Sequence, residues 1–305
     1  MWLLRADDAA LVRFNSPEDV PEGYAILSHV WGDQEDSFQQ VQLLNSQSFQ
    51  PGCSTRDLLS PKIRMCCMLA ESYGYRWIWA DTTCINKESS AELSEGINSM
   101  FSYYAASQIC VVYLHDVSSD GEPWLPGSDF RRSRWHTRGW TLQELLAPEM
   151  VVFLSREWKV LGTKASLATL IFEITTIPVS VLKFKTDVTS ISIAQRMSWA
   201  SRRQTTREED AAYCLLGLFG VTMPPLYGEG YRALHRLQEE LMKTSSDTSI
   251  WAFGVDPVPS KSLQALRSLN TTFHLVTRRS TDPILPIFLP MVQTYSTLII
   301  GSEGF

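Results

Sequence analysis

The feature that most constrains the fold is a set of four short, almost wholly apolar segments that alternate with helix-patterned segments. These apolar segments occupy positions 24–28, 77–80, 109–114 and 150–154. Strands covered by helices on both faces have this composition, whereas strands with one wet face alternate apolar and polar residues. We therefore predict that residues 20–155 form an α/β fold with a doubly wound, mostly parallel sheet.

The segments between the predicted strands carry helix-start signals. Ser60 suits an N-cap and Pro61 the first helical position after it. Ser89 and Glu92 have the spacing of a capping box, which satisfies two backbone donors at the start of a helix. Both signals place helices between consecutive strands, as a parallel sheet requires.

Beyond the fourth strand the pattern becomes helical. A second capping-box spacing at 206–209 and an amphipathic stretch at 229–242 predict helices, and 245–253 has the composition of a closing strand. After residue 256 five prolines and the loss of periodicity predict irregular structure. The predicted regions are a core domain at 20–160, a helical C-terminal companion region at 161–255 and an irregular tail at 256–305.

Composition excludes several classes of protein. A net charge of −6 argues against a nucleic-acid partner, because nucleic-acid binders usually have a basic domain. None of the six cysteines forms a C-x-x-C pair, so we predict reduced thiols and no metal site. The N-terminus lacks the apolar core of a signal peptide, and the most apolar stretch, 283–300, is interrupted by prolines and polar residues. These features predict a cytoplasmic chain with no membrane partner.

Residues 138–146 hold the most distinctive candidate site. At about 3.6 residues per turn, Trp140, Glu144 and Leu145 lie on one side of a helix. A carboxylate beside this much aromatic surface is either an ordinary solvated acid or a functional group held in a cleft. Spacing alone favours the solvated acid, because most helix glutamates are exposed.

Three sequence blocks, at 24–32, 77–85 and 138–144, resemble the signature blocks of the fungal HET (heterokaryon incompatibility) domain in content and order. The segment 210–230 is similar to the sequence that follows this domain in many filamentous-fungal proteins. The resemblance covers approximately residues 20–255. It therefore includes all the predicted strands of the core and most of the downstream helices.

The resemblance implies a role in non-self recognition, in which fusion of incompatible hyphae triggers programmed cell death. It also implies self-association and an incompatibility partner protein. HET domains are thought to be distantly similar to TIR domains, whose sheet is flavodoxin-like. Enzymatic TIR domains cleave NAD with a glutamate in a Trp-x-x-x-Glu-like block, and Trp140 and Glu144 occupy such a block here.

Ligands bind at the carboxyl ends of the strands in an open α/β sheet, and Ser28, Asp81 and the loop before Glu144 lie at or just beyond such ends. We expect Ser28, Asp81 and Glu144 as catalytic residues in one crevice, with NAD as the substrate and no cofactor. Cleavage of the ribose–nicotinamide bond releases a neutral base from a cation, so one carboxylate serves where glycosidases need two. Glu144 would bind the ribose hydroxyls and stabilise the developing positive charge.

Further residues are expected to bind the nucleotide. A tryptophan would stack on a flat base, and the arginine cluster that precedes Glu144 would contact the pyrophosphate. A histidine at the end of the first strand is a candidate general base. The predicted binding set is Trp31, His29, Trp140, Arg138 and Arg134, and the same cluster contains Arg131 and Arg132.

Each assignment has a structural alternative. Ser28 can satisfy backbone donors, Asp81 can cap a turn, the tryptophans can belong to the core and the arginines to a solvated loop. Arg202, Arg203 and Arg207 look like the surface of a helix. At the level of function, the alternatives are a non-catalytic, self-associating interaction module and hydrolysis of another nucleotide.

Overall fold

The structure is a computed structural model that describes residues 1–47 and 53–252. Its centre is a seven-stranded sheet in the order β2-β1-β4-β3-β5-β6-β7. The strands are β1 (Trp2–Arg5), β2 (Leu11–Arg13), β3 (Ala25–His29), β4 (Trp77–Trp79), β5 (Ile109–Tyr113), β6 (Val151–Leu154) and β7 (Val160–Thr163).

The four central strands are those that the apolar segments predict. β3 pairs in parallel with both β4 and β5, and β6 pairs in parallel with β5. Every residue of β3 and β4 is buried, as expected for strands that are covered on both faces. The predicted α/β fold with a mostly parallel central sheet is confirmed.

The chain changes direction across the sheet at β3. It first forms β4 on one flank of β3 and then crosses to β5 on the opposite flank. At such a point the loops that follow the neighbouring strands part and leave a crevice at the carboxyl edge of the sheet. The fold therefore places a crevice beside the ends of β3, β4 and β5.

Both edges of the sheet are antiparallel, so the sheet is mixed rather than parallel throughout. β1 pairs with β2 and β4, and β7 pairs with β6. These three strands are absent from the sequence-based prediction. Each has four residues or fewer, and β2 and β7 contain no fully buried residue, so neither carries a continuous apolar run.

Twelve helices surround the sheet within the described residues. Two of the predicted helix starts are confirmed, because the hydroxyls of Ser60 and Ser89 accept hydrogen bonds from the backbone N–H groups of Ile63 (3.5 Å) and Glu92 (3.3 Å). The helices are α1 (Phe38–Asn45), α2 (Thr55–Leu58), α3 (Pro61–Ser72), α4 (Ser90–Ala105), α5 (Asp129–Arg132), α6 (Thr141–Leu146), α7 (Ala168–Thr175), α8 (Val179–Leu182), α9 (Ile193–Ala200), α10 (Asp210–Tyr213), α11 (Leu216–Phe219) and α12 (Arg232–Thr244).

The capping box predicted at 206–209 is wrong. α10 begins at Asp210, with Glu209 in the N-cap position. The carboxylate of Glu209 instead accepts hydrogen bonds from the backbone N–H groups of Gly228 (2.7 Å) and Gly230 (3.0 Å). The carboxylate that the local spacing assigned to the helix start therefore binds the backbone of a distant loop.

The predicted closing strand at 245–253 is also wrong over its described part. Residues Thr248–Ala252 form a 3-10 helix, and Phe253 lies outside the described residues. The predicted irregular tail at 256–305 lies outside them as well. The division of the chain at residues 160 and 255 stays a prediction.

None of the helices in the described part of the chain combines the length and the apolarity that are needed to cross a membrane. The longest, α4, has 16 residues and carries acidic side chains.

Candidate functional site

A cavity of about 350 Å³ opens at the carboxyl edge of the sheet, beside the crevice described above. The loops after β3 and β4 and one face of α4 form its first wall, which consists of His29, Trp31, Asp81, Ile85, Lys87, Leu93, Ile97 and Met100. The second wall comes from α6, its preceding loop and the segment around α10, and consists of Arg138, Trp140, Thr141, Glu144, Thr206, Arg207, Asp210 and Tyr227.

Glu144 is the most buried acid on the cavity wall. All six residues of α6 are buried, and only 7% of Glu144 is exposed. The hydroxyl of Ser28 donates a hydrogen bond to Oε2 of Glu144, and Ser28 accepts one from Nε1 of Trp135 (2.7 Å). Because Trp135 supplies an N–H to the oxygen of Ser28, the hydroxyl hydrogen is directed towards the carboxyl group. Glu144 is therefore a buried and oriented carboxyl group and not the solvated acid that spacing alone favours.

The environment of Glu144 favours its neutral form. Burial raises its pKa to about 8, and the negative charge of Asp81 acts in the same direction. The hydrogen bond from Ser28, the nearby hydroxyl of Tyr104 and the charge of Arg203 oppose this effect without overcoming it. Glu144 is therefore largely protonated at neutral pH, and a cation placed beside it would favour the carboxylate.

Asp81 is held in the opposite state. Its Oδ1 lies 3.1 Å from Nε2 of His29, and its Oδ2 accepts a hydrogen bond from Nε1 of Trp31 (2.8 Å). Burial tends to raise the pKa of Asp81, but contacts with His29, Lys87 and Trp31 outweigh it, so the pKa lies below its usual value. Asp81 is thus ionised at pH 7, whereas Glu144 is largely neutral.

Aromatic rings and cations lie side by side on the cavity wall. Trp31 is 49% exposed, and Nζ of Lys87 lies 3.8 Å from its ring centroid. On the second wall the guanidinium of Arg207 lies 4.4 Å from the ring centroid of Tyr227. Flat rings bind heteroaromatic bases and guanidinium groups bind phosphates, so this composition suits a nucleotide.

A third carboxyl group belongs to the second wall. Asp210 accepts a hydrogen bond from the hydroxyl of Tyr227 (3.0 Å). Burial raises the pKa of Asp210, although hydrogen bonds from Trp140 and Tyr227 and the charge of Arg207 oppose the effect. The wall from α10 therefore presents an acid whose charged form is disfavoured by burial.

Comparisons with known proteins place part of the chain in a described family. Residues 24–126 match the family described as heterokaryon incompatibility protein (HET). The chain is also 42% identical over 253 residues to the vegetative incompatibility protein HET-E-1 of Podospora anserina. This chain contains a HET domain. The alignment covers 80% of this chain but 18% of the Podospora protein, and no solved structure matches the chain.

The HET family match ends before the cavity is complete. His29, Trp31, Asp81 and Lys87 lie inside the matched residues 24–126, whereas Glu144 and the rest of the second wall lie beyond them. The site is therefore formed by residues of the family match and by residues downstream of it. The longer alignment with the Podospora protein includes these downstream residues.

The structure brings most of the predicted HET-domain site residues together. Asp81, Glu144, His29, Trp31 and Trp140 line the cavity. The carboxylate of Asp81 binds two side chains, not a turn, and so differs from its structural alternative. Ser28, also predicted as catalytic, is fully buried behind Glu144 and does not line the cavity. Its hydroxyl therefore contacts Glu144 and not the cavity.

The arginine cluster is only partly at the site. Arg138 lines the cavity, but Arg134 is exposed and absent from the wall, so its predicted ligand contact is not supported. Arg131 instead pairs with Glu173 (2.7 Å), and Arg132 with Asp129 (3.0 Å). Because this part of the cluster lies on the surface of short helical turns, nearby acids and solvent bind it.

The cavity wall also contains residues that were not predicted as site residues from the sequence, among them Lys87, Arg207, Asp210 and Tyr227. Two of them, Asp210 and Tyr227, lie inside the segment 210–230 whose resemblance to HET-domain proteins marked it as informative. Arg203 was expected on a helix surface, yet it is only 2% exposed. An arginine between polar neighbours gives no sequence signal of burial, because the partners that bury it are distant in the chain.

Proposed function

We propose that this HET-domain chain acts in fungal vegetative incompatibility by hydrolysing NAD at the ribose–nicotinamide bond, and that the reaction promotes cell death. The observation that carries the proposal is the position of Glu144, which is buried, oriented by Ser28 and open to a cavity with aromatic and cationic walls. The similarity to a vegetative incompatibility protein supports the biological setting.

The proposed reaction needs one acidic residue. The bond between C1′ of the ribose and the ring nitrogen breaks, and its electron pair leaves with nicotinamide as a neutral molecule. Water then adds to C1′ and releases a proton. Glu144 contributes by binding the ribose hydroxyls and by stabilising the oxocarbenium-like charge as it develops.

The charge of the substrate matches the environment of Glu144. The nicotinamide ring of NAD⁺ is a cation, and a nearby cation lowers the pKa of a carboxyl group. The pKa of Glu144 is raised to about 8 without substrate. Binding of the cation would lower this pKa, so that Glu144 ionises in the complex with the substrate. A neutral ligand would not have this effect.

The remaining wall residues account for the rest of the nucleotide. Trp31 and Trp140 offer rings for stacking, while Arg138 and Arg207 offer guanidinium groups for the pyrophosphate. A volume of about 350 Å³ is at the lower end of the range for small-molecule sites. We infer that the nicotinamide and its ribose enter the cavity, and that the other half of the dinucleotide lies at its mouth.

The order of the parallel strands supports a TIR-like origin for the site. Counted along the chain, the four parallel strands lie in the order second, first, third, fourth. Flavodoxin-like sheets have this order and bind ligands where the chain changes direction across the sheet. The resemblance to HET-domain proteins also implies self-association and an incompatibility partner. We propose that both control the activity, and that the protein acts in the cytoplasm.

The test is direct. Purified, concentrated protein is incubated with NAD, and nicotinamide and ADP-ribose are measured for the wild type, Glu144→Gln and Glu149→Gln. Glu149 is an exposed acid just beyond α6 and serves as the matched control. We expect product from the wild type and from Glu149→Gln, and none above background from Glu144→Gln. Equal product from all three proteins would exclude Glu144 as the catalytic residue.

A non-catalytic role for the same cavity makes a different prediction. Glu144 is largely neutral at pH 7, and a neutral carboxyl group can hydrogen-bond a ligand without catalysing a reaction. The cavity would then belong to a module that binds a nucleotide and self-associates without turnover. In that case NAD would bind in calorimetry and change the oligomeric state in light scattering, with no product. A panel of other nucleotides in the same assay would reveal a different substrate.

A further inference from the structure

The short helix that carries Glu144 is held at both ends by buried cations. Near its start, Nη1 of Arg203 donates hydrogen bonds to Oγ1 of Thr141 (2.8 Å) and to the carbonyl of Arg138 (2.9 Å). At its end, Nζ of Lys164 donates to the carbonyls of Leu145 (3.1 Å) and Pro148. Both cations come from segments that follow α6 in the chain.

Arg203 lies on the same side of the helix as Glu144. Thr141 and Glu144 are three positions apart, so their side chains are neighbours on the surface of α6. A guanidinium that binds the hydroxyl of Thr141 is therefore one helical turn from the carboxyl group of Glu144. Lys164, in contrast, binds backbone carbonyls at the other end of the helix.

The backbone fixes the position of Arg203. The N–H of Gly139 donates to the carbonyl of Gln204 (2.9 Å), and the N–H of Gln204 donates to the carbonyl of Thr137 (2.6 Å). A Cβ on Gly139 would lie 2.5 Å from Cγ2 of Thr205, so the two segments are in direct contact. The segment that follows α9 is thus held against the start of α6 through the two residues directly after Arg203.

Arg203 is a buried cation with no acidic partner within ion-pair distance among the described residues. Its Nη2 has no hydrogen-bond partner there either. Burial lowers its pKa to about 10, which leaves it charged at neutral pH. A buried charge without an ionic partner is costly, so an anion that forms close to Arg203 would be stabilised by it.

Glu144 is the group that can supply this charge. The residues that face it from the surrounding elements are Ser28 on β3, Asp81 after β4, Tyr104 on α4, Cys110 on β5 and Arg203. Burial raises the pKa values of Tyr104 and Cys110 well above their usual range, so both are neutral. Asp81 is negative and disfavours a second negative charge, which leaves Arg203 as the cation in this set.

We propose that Arg203 is a positioning residue for the reaction, which fixes the first turn of α6 and stabilises Glu144 when it ionises. This inference rests on the proposed function of the cavity, because it assigns Arg203 a role in that reaction. It also implies that the downstream segment around residues 199–205 is part of the working site. The role is indirect, since Arg203 is not on the cavity wall.

The experiment separates the charge of Arg203 from its hydrogen bonds. Arg203→Lys keeps the charge, Arg203→Gln keeps amide donors without the charge, and Lys164→Gln loosens the other end of α6. The ionisation midpoint of Glu144 is followed by the infrared carbonyl absorption of its protonated form between pH 5 and 10, with Glu144→Gln as the blank. No substrate is present.

We expect Arg203→Gln to raise the midpoint by about one pH unit, because an opposite charge close to a carboxyl group has an effect of this size. Arg203→Lys should stay within about half a unit of the wild type, and Lys164→Gln should lower the melting temperature without moving the midpoint. An unchanged midpoint in Arg203→Gln overturns the proposal. If that variant does not fold, Arg203→Met, which keeps most of the bulk of the side chain without its charge, takes its place, and an unchanged midpoint there overturns the proposal equally.

Hydrolysis provides a second and distinguishable readout. If the wild type hydrolyses NAD, Arg203→Gln should lower kcat at pH 7 about tenfold and displace the pH profile upwards, and Arg203→Lys should restore most of the activity. A tenfold loss in both variants with no displacement of the profile would show a purely structural role. If the wild type gives no product, the proposed function fails, whereas the infrared midpoints still decide whether Arg203 stabilises the charge on Glu144.

Discussion

The hydroxyl of Ser28 donates a hydrogen bond to the carboxyl group of Glu144 across 116 positions of the sequence. This contact joins the end of β3 to α6. Nε1 of Trp135 in turn donates a hydrogen bond to the hydroxyl oxygen of Ser28. The first and third blocks that resemble HET domains thus meet through one buried hydrogen bond. It orients the acid on which the proposed chemistry depends.

Replacing Ser28 with alanine should affect both stability and ionisation. The change leaves the N–H of Trp135 without its acceptor, which costs about 1–3 kcal/mol of unfolding free energy in chemical denaturation. It also removes a hydrogen bond that favours the carboxylate of Glu144, so the infrared midpoint should rise. Ser155→Ala is the control, since Ser155 is fully buried but lies away from the cavity. A midpoint that rises equally in the control would contradict this explanation.

The stability of the wild type relative to Glu144→Gln should fall as the pH rises. The pKa of Glu144 is raised from 4.5 to about 8 in the folded protein, so the folded state binds the proton more tightly than the unfolded state does. The resulting stabilisation is complete below pH 4.5 and is lost as the pH rises through about 8. The unfolding free energies of the two proteins are measured by urea titration at each pH. The wild type should lose on the order of 4 kcal/mol relative to Glu144→Gln over this interval. Parallel curves would show that Glu144 is ionised in the fold.

Asp81 should show the opposite pH dependence. Its pKa is lowered in the folded protein, so its contribution is present above the unfolded value of 3.8 and is lost as the pH falls through the folded value. Asp81→Asn should cost about 1–3 kcal/mol of unfolding free energy at pH 7, because charged hydrogen bonds with His29 and Trp31 are lost. The difference from the wild type should shrink below pH 3.8. Asp33→Asn, an exposed control in the neighbouring loop, should have little effect at either pH.

Trp31 should contribute to nucleotide binding, whereas an equally exposed tryptophan should not. Trp31 is 49% exposed and lines the cavity, and Trp124 is 48% exposed and lies outside its wall. Trp31→Ala should weaken NAD binding about tenfold in calorimetry, which corresponds to the loss of about 1.4 kcal/mol of stacking. Trp124→Ala should leave the dissociation constant unchanged. Equal weakening in the two variants would show that the ring of Trp31 is not a stacking surface.

Gly139 should not tolerate a side chain. An added Cβ would lie 2.5 Å from Cγ2 of Thr205 and 3.1 Å from Sγ of Cys214, at the contact that positions Arg203. Gly139→Ala should lower the unfolding free energy by about 1–3 kcal/mol through overpacking and should reduce activity with it. Gly121→Ala has open space around the new Cβ and serves as the control. If both variants are as stable as the wild type, the two segments are not packed as closely as described.

The sequence by itself determined the local elements and their class. The apolar segments at 24–28, 77–80, 109–114 and 150–154 predicted the four parallel strands, because strands covered on both faces need continuous apolar runs. The serines before α3 and α4 fixed two helix starts, because an N-cap depends on residues only three positions apart. The short antiparallel edges were missed, since they have too few residues to show a period.

Only the tertiary structure decided which polar residues are buried and which line the cavity. Periodicity indicates which positions are apolar, but burial of Glu144 and Arg203 depends on partners more than 60 positions away. The same local spacing would suit an exposed helix acid and a surface arginine. Three-dimensional packing also excluded Arg134 from the cavity and included Arg207. A polar side chain is tolerated inside a fold when distant groups satisfy it, and no local pattern in the sequence records which groups those are.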